Sequence, residues 1–125
     1  CGRFQVQQVG VDPFNAHQII VDLNEAGVPL VIVKQRMAEL SLPTKLLERL
    51  VLSAAIEHGN HPVLKWQASN VAFREDDTGN VMPTKRRSTG QIDGIAASVT
   101  ALAVASPGGM PAPQSYLASD GLMIL

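Results

Sequence analysis

The chain has 125 residues, 46% apolar and 17% charged, which suits one folded domain or part of one and argues against disorder over most of its length. Its net charge of −1 gives no general attraction to nucleic acid, so any such contact needs a local patch, and Lys85-Arg86-Arg87 is the only basic cluster. The single cysteine, Cys1, cannot form an intrachain disulfide and no Cys/His spacing resembles a zinc site, which argues against zinc chemistry and fits a reducing compartment.

The longest apolar stretches, near residues 28–33 and 95–105, fall short of the roughly 18 residues a membrane helix needs. No membrane partner is expected. The first residues lack the apolar core of a signal peptide, and with no initiator Met the chain is expected to begin inside a longer gene.

Residues 4–11 alternate apolar and polar, with a slip at Gln7-Gln8, and predict a strand with a bulge. From Pro13 the period changes: Ala16, Ile19, Ile20, Leu23 and Ala26 predict an amphipathic helix stopped by Gly27. Residues 28–33 form a short apolar run, as a strand buried on both faces would. Together these make a βαβ unit with parallel strands, and such sheets bind ligands beyond the carboxyl ends of their strands, where Asp12 stands.

Ser41-Leu-Pro-Thr44 reads as a helix start, with Leu46, Leu47, Leu50, Val51 and Ala54 as its buried stripe and His58-Gly59-Asn60 as its end. His61-Pro62 starts a second, short helix turning Leu64, Ala68 and Val71 inward, with Trp66 packed or half exposed. Residues 71–75 and 80–82 flank Asp76-Asp-Thr-Gly79 and predict a hairpin, with Pro83 at an edge or just past it. The acids Glu75, Asp76 and Asp77 read as a solvated turn, because neighbouring side chains on an extended segment diverge. Ser88 and Gln91 match a capping box, followed by the apolar face Ile92, Ile95, Ala96, Val99, Leu102 and Ala103. Residues 107–113 read as a Pro/Gly linker and the rest, to 125, as a tail with an apolar end.

The chemistry rests on two acids. Asp12 follows the first strand, and Asp93 shares a helical stripe with Ala96, Ala97 and Thr100, with Gly94 leaving room for a substrate. Converging carboxylates are what Mg²⁺ or Mn²⁺ takes, and they would suit phosphoryl chemistry. Each acid also has a plain structural reading: Asp12 as a helix cap ahead of Pro13, Asp93 as partner of the positive end of its helix. Lys85, Arg86 and Arg87 likewise read as a solvated loop unless something else points to DNA. His17, His58 and His61 are scattered and support no nucleophilic triad, and no Gly-x-x-x-x-Gly-Lys-Ser/Thr loop occurs.

The order of the pieces carries a resemblance. Val9-Gly-Val-Asp-Pro-Phe-Asn-Ala16, Val33-Lys-Gln35, Leu40-Ser-Leu-Pro-Thr-Lys-Leu-Leu-Glu-Arg-Leu50, His58-Gly-Asn-His-Pro-Val-Leu-Lys-Trp66, Ala68-Ser-Asn70 and Ile92-Asp-Gly-Ile95 together resemble the C-terminal nuclease half of the large terminase subunit of tailed double-stranded DNA phages, as does the Gly121-Leu-Met-Ile-Leu125 end. The resemblance implies an α/β, ribonuclease H-like fold over residues 1–106, without its first strands, and a tail over 107–125. It implies a metal-dependent endonuclease cutting concatemeric DNA in the cytoplasm of a bacterial host, with Mg²⁺ or Mn²⁺ on three acids. Asp12 matches the second acid and Asp93 the third; the first is expected upstream of Cys1, so the chain alone is expected to fold poorly and cleave slowly or not at all. Double-stranded DNA, the small terminase subunit and the portal protein are the implied partners, with Lys85, Arg86 and Arg87 placed to meet DNA. Two alternatives stay open: another ribonuclease H-like nuclease of resolvase or integrase type, and a non-catalytic DNA-gripping or portal-docking module.

Overall fold

The structure, a computed structural model, describes residues 3–106; Cys1 and the linker and tail over 107–125 lie outside the described residues. Strands β1 (Val9–Val11) and β2 (Leu30–Ile32) pair in parallel, Val9 against Leu30 and Val11 against Ile32, and helix α1 (His17–Glu25) connects them. This is the expected βαβ order, with shorter strands. Of residues 4–11 only the last three face the short β2, so the preceding ones have no ladder partner among the described residues, and Phe4 and Val6 are exposed. Nor is β2 buried on both faces: Ile32 is exposed, and the buried residue is Val33, whose N–H donates to Val11 O at 2.8 Å.

Helix α1 begins at His17, one turn after Pro13, because Asn15 takes a positive φ of 53° and turns the chain before the helix can start. Asp12 therefore does not cap it; the N-cap is Ala16, which has no side chain for the role. Gly27 follows the helix at φ 77°, the left-handed stop expected of it. Ile19, expected to face inward, is exposed.

Helix α2 (Met37–Leu52) starts earlier than Ser41. The Arg36 guanidinium pairs with the Glu39 carboxylate in the first turn, and Leu40 buries just behind it, so the helix is already established when it reaches Pro43. Pro43 is thus inside the helix, where it cannot donate a backbone bond, and is fully buried. The helix also ends sooner, before His58: Ala54 takes φ 54°, and Val51 and Leu52 are exposed. Buried Ser41 ties α2 to the hairpin, its Oγ accepting from Val81 N at 3.1 Å.

Helix α3 (Pro62–Asn70) begins where expected, with Pro62 at its first position and His61 Nδ1 accepting from Val63 N at 3.2 Å. Leu64 is half-buried and Ala68 exposed; the residue the helix buries is Gln67. Strands β3 (Phe73–Glu75) and β4 (Val81–Pro83) form the expected antiparallel hairpin, with Pro83 as the last residue of its strand, opposite Phe73. Asp76 organises the turn: its Oδ1 accepts from Thr78 N, Thr78 Oγ1 and Asn80 N, its Oδ2 from Asn80 Nδ2, and Gly79 supplies φ 82°.

Helix α4 (Asp93–Ala105) starts later than the capping-box reading requires. Ser88 is engaged elsewhere, donating to Thr84 O at 2.7 Å and accepting from Ala72 N at 3.0 Å, so it anchors the 84–88 turn to the hairpin. The apolar face stands: Ile92, Ile95, Val99 and Leu102 are buried. Val33, Leu40, Val99 and Val104 form the core, with Val31, Leu47, Met82 and Ala103 packed around it, so α4 is clasped between β1, α2 and α3, while β4 packs on α2.

Candidate functional site

Asp12 leaves the end of β1 with its side chain exposed, and its Oδ1 accepts from Phe14 N at 3.0 Å, an Asx-turn spanning Pro13. β1 reaches this point by passing very close to α4. A Cβ on Gly10 would stand 2.7 Å from Val104 Cγ2 and 3.0 Å from Thr100 Cγ2, so the glycine permits the approach.

Two cavities meet at Asp12. One, of about 420 Å³, is lined by Asp12, Gln35, Met82, Lys85, Ala97 and Thr100 among others; the second, of about 470 Å³, continues along Gln8, Gly10, Thr100 and Val104. The stripe of Ala96, Ala97 and Thr100 read from the helical wheel thus faces the first cavity, and Gln35 Nε2 donates across to Thr100 Oγ1 at 3.4 Å.

Asp93 is the first residue of α4. Its carboxylate is not between helix and sheet, as expected, but exposed, and Lys85 Nζ donates to its Oδ1 at 2.7 Å. That hydrogen bond, and the charge behind it, hold the Asp93 carboxyl below the usual carboxylate range. Gly94 leaves room, but for Gln67 rather than a substrate: Gln67 Oε1 accepts from Gly94 N at 2.6 Å. Sequence reasoning passed over Gln67; the signal was a polar residue three after Leu64 and four before Val71, on the stripe expected to face inward.

Lys85 lines the cavity with Asp12 and pairs with Asp93, so a lysine links the cavity that Asp12 lines to the Asp93 carboxylate, which is not itself part of the lining. Arg86 and Arg87 follow in the same exposed turn. The donors suit a hard divalent cation: both are carboxylates, both engage hydrogen bonds through Oδ1, and Asp93 already carries a cationic group in the Lys85 ammonium. Among the described residues no group of three or more potential metal ligands occurs. Glu75, Asp76 and Asp77 belong to the hairpin turn, and hydrogen bonds from the Asn80 side chain and N–H, and then from Thr78, hold Asp76 far below the usual carboxylate range. No helix among the described residues is long and apolar enough to cross a membrane.

The large terminase subunit of Enterobacteria phage HK97 is 31% identical over 107 residues, which are 84% of this chain and 21% of that protein. Protein YmfN of Escherichia coli strain K12 is 30% identical over 101 residues, 78% of this chain and 22% of that one. The crystal structure of the HK97 bacteriophage large terminase superposes with a TM-score of 0.76 at 31% identity, covering 83% of this chain and 22% of that one, in keeping with the expected ribonuclease H-like α/β fold. The chain therefore spans about a fifth of the length of the relatives it matches. The family model described as terminase large subunit, endonuclease domain, matches residues 1–108, and the chain belongs to that family.

Proposed function

We propose that this chain is the cutting part of a phage-type DNA-packaging terminase, an endonuclease that severs concatemeric double-stranded DNA with Mg²⁺ or Mn²⁺ held in part by Asp12 and Asp93. The observation that carries the reading is the cavity at the carboxyl end of β1, lined by Asp12 and by Lys85, whose ammonium pairs with Asp93 in the first turn of α4. When bound, such ions activate the attacking water and stabilise the leaving oxygen. Asp12 offers its carboxylate from a turn fixed by Phe14 N, and Asp93 offers one whose charge the Lys85 ammonium stabilises. Lys85, Arg86 and Arg87 meet the phosphate backbone by charge. Ala96 and Ala97 line the cavity with Asp12, and their small side chains leave room for a nucleic-acid strand to approach.

With Asp12 and Asp93 the two acids assigned to the metal and no third ligand grouped with them among the described residues, the 125 residues alone are expected to cleave slowly or not at all; the full-length protein is the proper test object. Its substrate is DNA, its partners are the small terminase subunit and the portal protein, and its place is the cytoplasm of a bacterial host. In the full-length protein, Mn²⁺-dependent nicking of supercoiled plasmid is expected to fall by about 100-fold in Asp12→Asn and in Asp93→Asn. A second reading, a non-catalytic DNA-gripping or portal-docking module, draws on the Lys85–Asp93 ion pair, which gives Asp93 a structural partner. Unchanged nicking in Asp93→Asn favours that second reading and removes Asp93 from the catalytic assignment.

A further inference from the structure

Gln67 is the one side chain that α3 buries, at 8% exposure, and it points at the beginning of the neighbouring helix. Gly94 N, which donates to its Oε1, lies in the first turn of α4, where backbone donors have no partner inside the helix. The N-cap Ile92 offers no side-chain acceptor. The contact also demands glycine: a Cβ at position 94 would stand 2.5 Å from Gln67 Oε1 and 3.1 Å from Leu64 Cδ1. One turn along α3, Asn70 grips the approach to α4. Its Nδ2 donates to Gln91 O at 3.2 Å, and its backbone O accepts from Thr89 N at 3.2 Å. Here too a glycine makes room, since a Cβ on Gly90 would stand 2.7 Å from Asn70 Nδ2.

The last turns of α3 thus hold the backbone on both sides of Asp93, whose own side chain is exposed. We propose that Gln67, supported by Asn70, is a positioning residue for Asp93: through the Gly94 N–H it fixes where the carboxylate stands relative to Asp12. Gln67 touches neither ion nor DNA and acts only through the backbone. The inference rests on the reading of Asp12 and Asp93 as metal ligands.

The test uses full-length protein, with Mn²⁺ as the probe read by electron paramagnetic resonance, beside nicking kinetics. Gln67→Met keeps the volume and removes the acceptor; Gln67→Glu keeps an acceptor oxygen in the same place and serves as the rescue. Hydrogen-bond partners that orient metal ligands are worth about 10- to 100-fold in affinity or activity, so Gln67→Met is expected to weaken Mn²⁺ binding about tenfold. The same variant lowers kcat and leaves KM for DNA unchanged, while Gln67→Glu retains most of both. Gly94→Ala attacks the contact from the other side and covers the case in which Gln67→Met fails to fold. It is expected to cause a similar loss alone and none beyond that of Gln67→Ala when the two are combined.

Wild-type Mn²⁺ affinity in Gln67→Met and Gly94→Ala overturns the inference, as does a loss in Gln67→Glu equal to that in Gln67→Met. Asp93→Asn separates the two levels. If it abolishes Mn²⁺ binding while Gln67→Met binds Mn²⁺ like wild type, the positioning role alone falls; if Asp93→Asn itself binds Mn²⁺ like wild type, the metal-site reading falls and the positioning role with it.

Discussion

Gly10→Ala perturbs the closest approach between the strand that carries Asp12 and the helix that carries Asp93. The added methyl would stand 2.7 Å from Val104 Cγ2, 3.0 Å from Thr100 Cγ2 and 3.3 Å from Thr100 O. Val104 and Thr100 are β-branched and stiff at χ1, and Thr100 O is backbone, so neither wall yields without moving α4 away from β1. Overpacking of this kind costs about 1–3 kcal/mol. Replacing glycine by alanine at a permitted backbone conformation returns about 0.4–1 kcal/mol by restricting the unfolded chain, and Gly10 is in an extended strand, where alanine is permitted. The net expectation is a loss of up to about 2.6 kcal/mol, centred on about 1.3 kcal/mol. Urea unfolding, followed through Trp66 and far-ultraviolet circular dichroism, reads it as a lower midpoint at unchanged slope. Val104→Ala in the Gly10→Ala background removes the tightest contact, so the two losses add to less than their sum. A Gly10→Ala chain as stable as wild type, or more so, would refute the close packing of β1 on α4.

Three further outcomes follow from the charges and the turn. Lys85→Met removes the first cause of the depressed Asp93 pKa, so the ¹³C-detected titration midpoint of Asp93 rises toward the ordinary carboxylate value; an unmoved midpoint contradicts the ion pair. Because the folded-state pKa of Asp93 is lowered, the pair's contribution to stability is present above the unfolded value and disappears as pH falls through the folded one; Lys85→Met abolishes that acid-side dependence. Asp76→Ala leaves Thr78 and Asn80 without their acceptor, so amide hydrogen exchange at Asn80 and Val81 accelerates, while Asp77→Ala, for which no such bonds are found, changes little. If Arg86 and Arg87 meet phosphates, each alanine substitution lowers the slope of log affinity for DNA against log salt by about 0.9; an unchanged slope removes that residue from the interface.

The order of elements was readable because it is written in local periodicity: the βαβ start, the hairpin around Gly79 and the apolar face of α4 all stand. Boundaries were less readable, since they depend on partners far along the chain. Ser88 has the spacing of a cap, yet Ala72 N and Thr84 O claim its hydroxyl, and α4 starts at Asp93 instead. Pro43 looks like a first-turn proline, yet α2 is established before it by the Arg36–Glu39 pair and buried Leu40. The length of β1 follows from the three residues of β2, which no pattern within residues 4–11 encodes. Asp12 and Asp93 were each more legible as structural residues, and the order of surrounding motifs singled them out. Gln67 escaped notice because its role lies entirely in a contact with Gly94, twenty-seven residues away.

The central claim is that Asp12 and Asp93 hold a divalent cation together. Mn²⁺ titration of the full-length protein, read by electron paramagnetic resonance, tests it most directly when wild type is compared with Asp12→Asn and Asp93→Asn. The expected result is saturable binding in wild type and a loss of affinity of about tenfold or more in each variant. Equal Mn²⁺ binding in all three proteins contradicts the claim and returns both carboxylates to structural roles, one in the Asx-turn after β1 and the other paired with Lys85.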